Sequence, residues 1–348
     1  MIRAKRVFLY TVIIGLATHM YRFTNWMLCA DSTNYLNTIS KSWVTSVGRY
    51  LLPVVETIRG NHELPWLFGL FCTVMLALTA VVVCELFDVK GTVIQILVGW
   101  IIAGNPMMTA TYAYMYTADG YMIGLFLAVL SVYLSVKKPG WKGMVAGAVA
   151  LFVSLGFYQG YMTTTVLLFL FQIILLLLDR ECSIKDIGTA IGRYLLTGVI
   201  AIGAYLIVVK TVWTLGGYGV TTYMGIGESS GLHIDSFLSA LKDCYVDFAR
   251  VFLVRWKWMA YNVMNILMFG MTGIFLIWQM LCKKIWKQPI KVVLLALILV
   301  MLPVATHLFE FLSEELSYST TIMDYGTAMV FLLPVILWRT VEKGEGNF

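Results

Sequence analysis

Apolar residues run in long unbroken stretches along this chain, and polar residues gather in the gaps between them. Ten stretches stand out, at residues 7–20, 64–86, 92–104, 120–136, 143–157, 163–178, 194–209, 262–282, 292–308 and 325–338. A helix needs about 20 mostly apolar residues to cross a bilayer. Each stretch therefore predicts a membrane helix, the shorter ones extending into their flanks or sitting where protein buries them. A transmembrane barrel would instead show alternating segments of about 10 residues. The expected fold is all-α and polytopic, with about ten spans in a single integral membrane domain over residues 1–348.

Two gaps are long, at residues 21–63 and 210–261. In the first, Leu36, Ile39, Trp43, Val47, Tyr50, Leu51, Val54 and Ile58 follow in steps of three and four. That spacing predicts one face of an amphipathic helix lying at the membrane surface, kinked or broken at Pro53. The second gap opens with Gly216, Gly217, Gly219, Gly225, Gly227 and Gly231 and should resume as a helix from about Asp235, placed as its N-cap. The glycine run reads either as a loop that closes over a substrate or as a plain connector. It lacks the Gly-Lys-Ser/Thr ending of a phosphate-cradling loop.

Composition sharpens this picture. The 348 residues are 60% hydrophobic and only 13% charged, against about 25% charged in soluble domains, and the mean hydropathy is +0.82. Arg3, Lys5 and Arg6 precede the first stretch as in a signal peptide, but it runs into His19-Met20-Tyr21-Arg22 without a small-residue cleavage site. An uncleaved first helix is expected. With the N-terminus inside, sixteen of the 25 Lys and Arg fall in short inner segments, Lys137-Lys138 and Lys283-Lys284 most clearly. That is the positive-inside bias, and it puts both termini in the cytoplasm. Twelve of the 19 acidic residues fall on the outer side, where the polar chemistry gathers. The net charge of +6 is explained by topology, with no basic stripe to point to a nucleic acid.

Metal and hydrolase signatures are absent. The six cysteines follow no CxxC spacing, and His19, His62, His233 and His307 form no HExxH. No GxSxG occurs. Cys29 and Cys244 both fall outside, so a disulfide is open to them if their separation allows it.

Four groups carry candidate chemistry. Asp31 is a lone carboxylate beyond the first stretch, preceded by Tyr21, Phe23, Asn25 and Trp26 and followed by Gly48-Arg49-Tyr50. It reads either as a turn or N-cap residue or as a general base, with Arg49 binding phosphate oxygens bidentately. Residues 111–121, TYAYMYTADGY, offer Tyr114, Tyr116, Tyr121 and Asp119 as an interfacial belt or as a sugar platform, and Tyr158 and Gln159 occupy the next outer turn. Arg250, Arg255 and Lys257 beside Trp256 and Trp258 suit either headgroup anchoring or a lipid-linked phosphate. Glu310, Glu314, Glu315 and Asp324 form an acidic outer rim, for which a divalent cation is the minority reading.

In this order and spacing the pieces resemble the type II bacterial glucosyltransferases that decorate O-antigen and related surface polysaccharides. The resemblance runs through Asp31, GRYLLP at residues 48–53, NPMMTATYAYMYTADGYMIGLFLAVLSVYL at 105–134, LGFYQGYMTTTVLL at 155–168 and, more loosely, YSTTIMDYGTAMVFLLP at 318–334. It implies a GT-C enzyme of the bacterial cytoplasmic membrane with an extracytoplasmic active site, a polyprenyl-phosphate sugar donor and a polysaccharide or lipid-linked acceptor. It also implies an acid in the first outer loop, matched by Asp31. Where family members often have two adjacent acids, this chain has Ala30-Asp31, which either leaves one carboxylate to act as base or shifts part of the role to Asp119, and weakens the case for a bound metal. The rival reading is a transporter or flippase of lipid-linked sugars, which would place ionisable groups at mid-span. The mid-span positions are nearly uncharged.

Overall fold

Prolines and short polar caps set where the helices start. The computed structural model describes residues 2–25, 27, 41–60, 64–138, 140–219, 234–253, 262–311 and 325–342, and among them no strand occurs. In chain order the helices are α1 (Ile2–Thr24), α2 (Lys41–Ser46), α3 (Leu52–Ile58), α4 (Pro65–Leu86), α5 (Thr92–Ala103), α6 (Pro106–Ala113), α7 (Met115–Lys137) and α8 (Gly140–Phe157). They continue as α9 (Tyr161–Leu177), α10 (Ile184–Gly216), α11 (Ile234–Phe252), α12 (Asn262–Cys282), α13 (Pro289–Thr306), α14 (Leu308–Phe311), α15 (Tyr325–Val330) and α16 (Leu332–Glu342). Proline stands in the first turn of α3, α4, α6 and α13, where its missing N–H costs nothing. Asn105 caps α6 by accepting from the Met108 N–H, and Ser183 caps α10 by accepting from the Asp186 N–H.

All ten apolar stretches lie on helices, but their lengths differ from one expectation. Seven helical segments among the described residues are long and apolar enough to cross a membrane: Pro65–Leu86, Thr92–Ala113, Met115–Lys137, Gly140–Phe157, Ile184–Gly216, Val263–Cys282 and Pro289–Thr306. Tyr161–Leu177 and Tyr325–Trp338 are shorter apolar helices. The first helix carries His19 and Arg22 in its last turns, which lower its hydropathy.

α1 packs on α4, α4 on α7, and α7 on α8. Further along, α8 packs on α10, α9 on α13, and α12 on α16. Among the fully buried side chains are Leu76, Met108, Met115, Leu125, Val129, Phe171, Ile174 and Ile336. Gly147 lets the α8 backbone approach α7 so nearly that a Cβ there would overlap the Ser135 hydroxyl.

Charged residues tie the end of the bundle that holds the N-terminus. Arg3 donates to both Glu85 oxygens, at 3.1 and 2.6 Å, and to Asp88 at 3.0 Å, pinning the start of α1 to the end of α4. Lys291, 2% exposed, donates to the Asp179 carbonyl at 2.6 Å just past the end of α9. A cation there satisfies carbonyls that the ended helix leaves open.

Candidate functional site

The opposite end of the bundle gathers most of the residues singled out above, and the first long gap is what organises them. Leu36 and Ile39 lie outside the described residues, and within 41–60 the amphipathic face does not form one helix. Two short helices, α2 and α3, are joined through Gly48 at φ 83°, so the chain turns at Gly48, and Pro53 starts α3 instead of breaking a longer helix. The buried positions change accordingly. Val47, Leu52 and Glu56 are buried, whereas Trp43, Val54 and Ile58 are exposed.

Three later elements hold this turn. The Gln159 amide donates to the Val47 carbonyl and to the Tyr205 hydroxyl, both at 2.8 Å. Tyr205 donates to the Gly48 carbonyl at 3.3 Å, and the Trp213 indole donates to the Thr45 carbonyl at 2.8 Å. The Leu51 N–H reaches the Gly156 carbonyl at 3.0 Å. A Cβ on Gly48 would overlap the Tyr205 hydroxyl and the Gln159 amide. Glycine is thus required twice, for its φ and for the space. Gln159, expected to bind sugar, serves here as a clamp on backbone, while its buried carbonyl oxygen has no hydrogen-bond partner.

The clamped turn presents Arg49. Its guanidinium donates to the Tyr121 hydroxyl at 2.9 Å and lies over the Tyr158 ring, 4.8 Å from the ring centre. Aromatic faces attract a cation electrostatically. Tyr121 and Tyr158 are themselves 5.0 Å apart. The ring series continues through Tyr161 to Tyr325 on α15, whose hydroxyl donates to the Ile102 carbonyl at 2.8 Å. Tyr50 stacks on Tyr205. Burial and the neighbouring Tyr205 push the Tyr50 phenol up to about 12.

Asp119 sits in the first turns of α7 as half of a buried ion pair. Arg59, just past α3, donates to it at 2.9 Å, and both side chains are 10% exposed. The carboxylate also accepts from the Gly120 N–H at 2.9 Å. Arg59 further donates to the Tyr116 carbonyl and lies 4.7 Å from the centre of the Phe68 ring. The pair joins the first long gap to α7. Sequence reasoning passed over Arg59, because its partner lies 60 residues away and one regular helix would have turned it elsewhere.

The other candidates fall outside this group. Tyr114 and Tyr116 form their own edge-to-face pair at the start of α7, with ring centres 6.2 Å apart. Arg250 is on α11, where it donates to Asp247 at 2.8 Å. That helix packs on α12, α13 and α14. Asp31, Arg255 and Lys257 lie outside the described residues, as do Glu314, Glu315 and Asp324, most of the glycine run and Cys29. The proposed partner of Cys29, Cys244, is buried, and its thiol donates to the His307 carbonyl at 3.7 Å. Among the described residues no three His, Cys, Asp or Glu side chains are grouped as metal ligands.

Two cavities border the region. One of about 380 Å³ lies between the ends of α1 and α6, lined by His19, Arg22, Met27 and Tyr112. The other, about 440 Å³ and almost wholly apolar, lies along α9 and α10.

The chain matches the family model described as Glucosyl transferase GtrII over residues 20–337. No curated protein and no solved structure matches it.

Proposed function

The chain belongs to the glucosyl transferase GtrII family, and from that premise we propose that it moves a hexose, glucose by the family's name, from a polyprenyl-phosphate donor. The acceptor is a surface polysaccharide or a lipid-linked precursor, and transfer takes place on the extracytoplasmic side of a bacterial cytoplasmic membrane. The observation that carries this reading is Arg49, held over Tyr158 and against Tyr121 at the end of the bundle away from the basic N-terminus. A half-buried guanidinium framed by aromatic rings suits a sugar phosphate: the rings meet sugar C–H faces, and the cation meets phosphate oxygens.

The mechanism is an inverting displacement. Asp31, in the segment that leads into α2 and Arg49, takes the proton of the acceptor hydroxyl. The acceptor oxygen forms its bond to the anomeric carbon as the bond from that carbon to the phosphate oxygen breaks. Polyprenyl phosphate leaves, and Arg49 stabilises the charge that gathers on it. Asp119, one of whose carboxylate oxygens accepts from Arg59 and from the Gly120 N–H, orients the sugar together with the nearby tyrosines. Arg255 and Lys257 are retained as phosphate or headgroup contacts.

We count the seven long segments, Ile2–Thr24 and the two shorter apolar helices as ten crossings, of which the seven are long and apolar enough by themselves. An even count puts both ends on the cytoplasmic side, in keeping with a GT-C architecture and with Arg3, Lys90, Lys137 and Lys284 at the N-terminal end. The test is incubation of purified protein with polyprenyl-phosphate glucose and candidate acceptors, read by mass spectrometry. A gain of one hexose on the acceptor is expected. Movement of unaltered donor across vesicles with no such gain would replace this reading with a flippase.

A further inference from the structure

We propose that the groove between α5, α12 and α16 binds an anionic phospholipid, with one acyl chain in the groove and the headgroup at Lys90. The site lies at the end of the bundle that holds the N-terminus and stands apart from the transfer chemistry. Its floor is α16, which packs on both α5 and α12 and brings Val335 and Trp338 to the groove. Ile94 and Leu97 of α5 form one wall, and Met271 and Phe275 of α12 form the other. They enclose about 530 Å³.

The side chains that line it are apolar apart from the Thr92 hydroxyl and the Trp338 indole, so water finds few partners there. Leu97, Met271 and Trp338 are exposed at its rim, so it opens along the side of the bundle, where lipid lies. Phe275 and Trp338 meet edge to face at its basic end, with ring centres 5.4 Å apart. Beside them the Gln279 amide donates to the Leu337 carbonyl at 2.7 Å. The floor and the α12 wall are thus fastened to each other before any lipid arrives.

Charge selects the occupant. Each of the three helices has a cation at this end: Lys90 precedes α5, Lys283 and Lys284 follow α12, and Arg339 comes next after Trp338 on α16. The acids there are Glu85 and Asp88, both bound by Arg3, and Glu342 in the last turn of α16. Lys90 stands 3.9 Å from Asp88, too far for a hydrogen bond, and 66% of its side chain is exposed. Gly91 gives α5 no side-chain cap, so the first-turn N–H groups of Thr92 and Val93, both lining the groove, add to the pull on a phosphate. Basic pockets of this kind between membrane helices take anionic headgroups. A zwitterionic lipid would fill the groove but gain little from the cations.

The experiment titrates delipidated protein with phosphatidylglycerol and with phosphatidylcholine of the same acyl chains, read by native mass spectrometry and by melting in detergent. Wild type should bind one phosphatidylglycerol at least tenfold more tightly than phosphatidylcholine and melt higher in its presence. Lys90→Gln should cut that preference at least threefold. Leu97→Trp, which fills the groove from an exposed position, should weaken binding of both lipids; Met271→Trp replaces it if the first variant does not purify as a folded protein. Val199→Trp, on the exposed side of α10, is the control and should bind as wild type does. A phosphatidylglycerol with a diazirine on its acyl chain should label residues 91–97, 268–275 and 334–338. Equal binding of the two lipids by wild type, an unchanged preference in Lys90→Gln, unchanged binding in Leu97→Trp, labelling spread evenly over α8 and α10, or a dimer that covers the groove in place of lipid would overturn the assignment. None of these readouts needs hexose transfer, so the site stands or falls separately from the proposed activity.

Discussion

Arg59 and Asp119 are bound at 2.9 Å with only 10% of each side chain exposed, joining the segment before α4 to the start of α7. Removing one member of such a pair leaves a buried charge uncompensated, at a cost of about 3–5 kcal/mol. Asp119→Asn and Arg59→Ala should each lower the melting temperature markedly in detergent. The double variant Arg59→Met/Asp119→Leu should lose much less than the sum of its parts, as coupled neighbours do. Additive losses would show that the two side chains act separately.

Asp31→Asn should behave differently. If this carboxylate takes the acceptor proton, its loss removes about 10²–10⁴-fold of the transfer rate and leaves elution and melting unchanged. Retained transfer in a folded Asp31→Asn protein takes the residue out of the base role.

Arg49 should resist conservative replacement. Arg49→Ala is expected to lower kcat by about 10²-fold or more, as loss of an aimed charge at a leaving group does. Arg49→Lys should recover little, because an ammonium cannot reproduce the planar fork. Full activity in Arg49→Lys would reduce the residue to a simple counter-charge.

Gly48→Ala tests the turn that presents this arginine. At φ 83° an L side chain is strained by about 1–2 kcal/mol, and its Cβ must also displace Tyr205 and Gln159. The variant should melt lower and be cut faster by protease within residues 41–60. Gly48→Ala/Tyr205→Phe should not recover, since the backbone strain remains.

Tyr50 gives a signature at high pH. Its phenol is pushed up to about 12 in the fold but titrates near 10 in an unfolded chain. The fold therefore favours the neutral form, and that contribution is complete below pH 10 and lost as pH rises toward 12. Tyr50→Phe should melt like wild type at neutral pH, because the Tyr50 hydroxyl is buried without a hydrogen-bond partner. Between pH 10 and 12 its melting temperature should fall less steeply than that of wild type. Parallel curves would mean that the phenol ionises freely.

Helix positions were legible because lipid demands long apolar runs, and the turns at Tyr114 and at residues 158–160 fall where polar and aromatic residues interrupt them. Arg49, Tyr121 and Tyr158 were found as residue types near interfaces, and the fold then brought them together. Spacing misled at residues 41–58. Regular steps suited one helix, but the contacts that matter are to Gln159, Tyr205 and Trp213, and no local pattern records them. Arg59 was missed for the same reason. Tyr325 was not singled out, and only the packing of α9 against α15 brings it beside Tyr161 in the ring series.

The hydrogen bonds from Tyr205 and Trp213 to the Gly48 and Thr45 carbonyls also set an order of events during biosynthesis. When the ribosome has delivered only the first two hundred residues, the arginine is already out but its backbone is held only from Gln159 and Gly156. A nascent chain stopped there should carry a half-fastened, protease-sensitive segment, and release of α10 from the translocon is the moment at which the centre acquires its shape. Fragments lacking α10 would be inert whatever acids and arginines they retain.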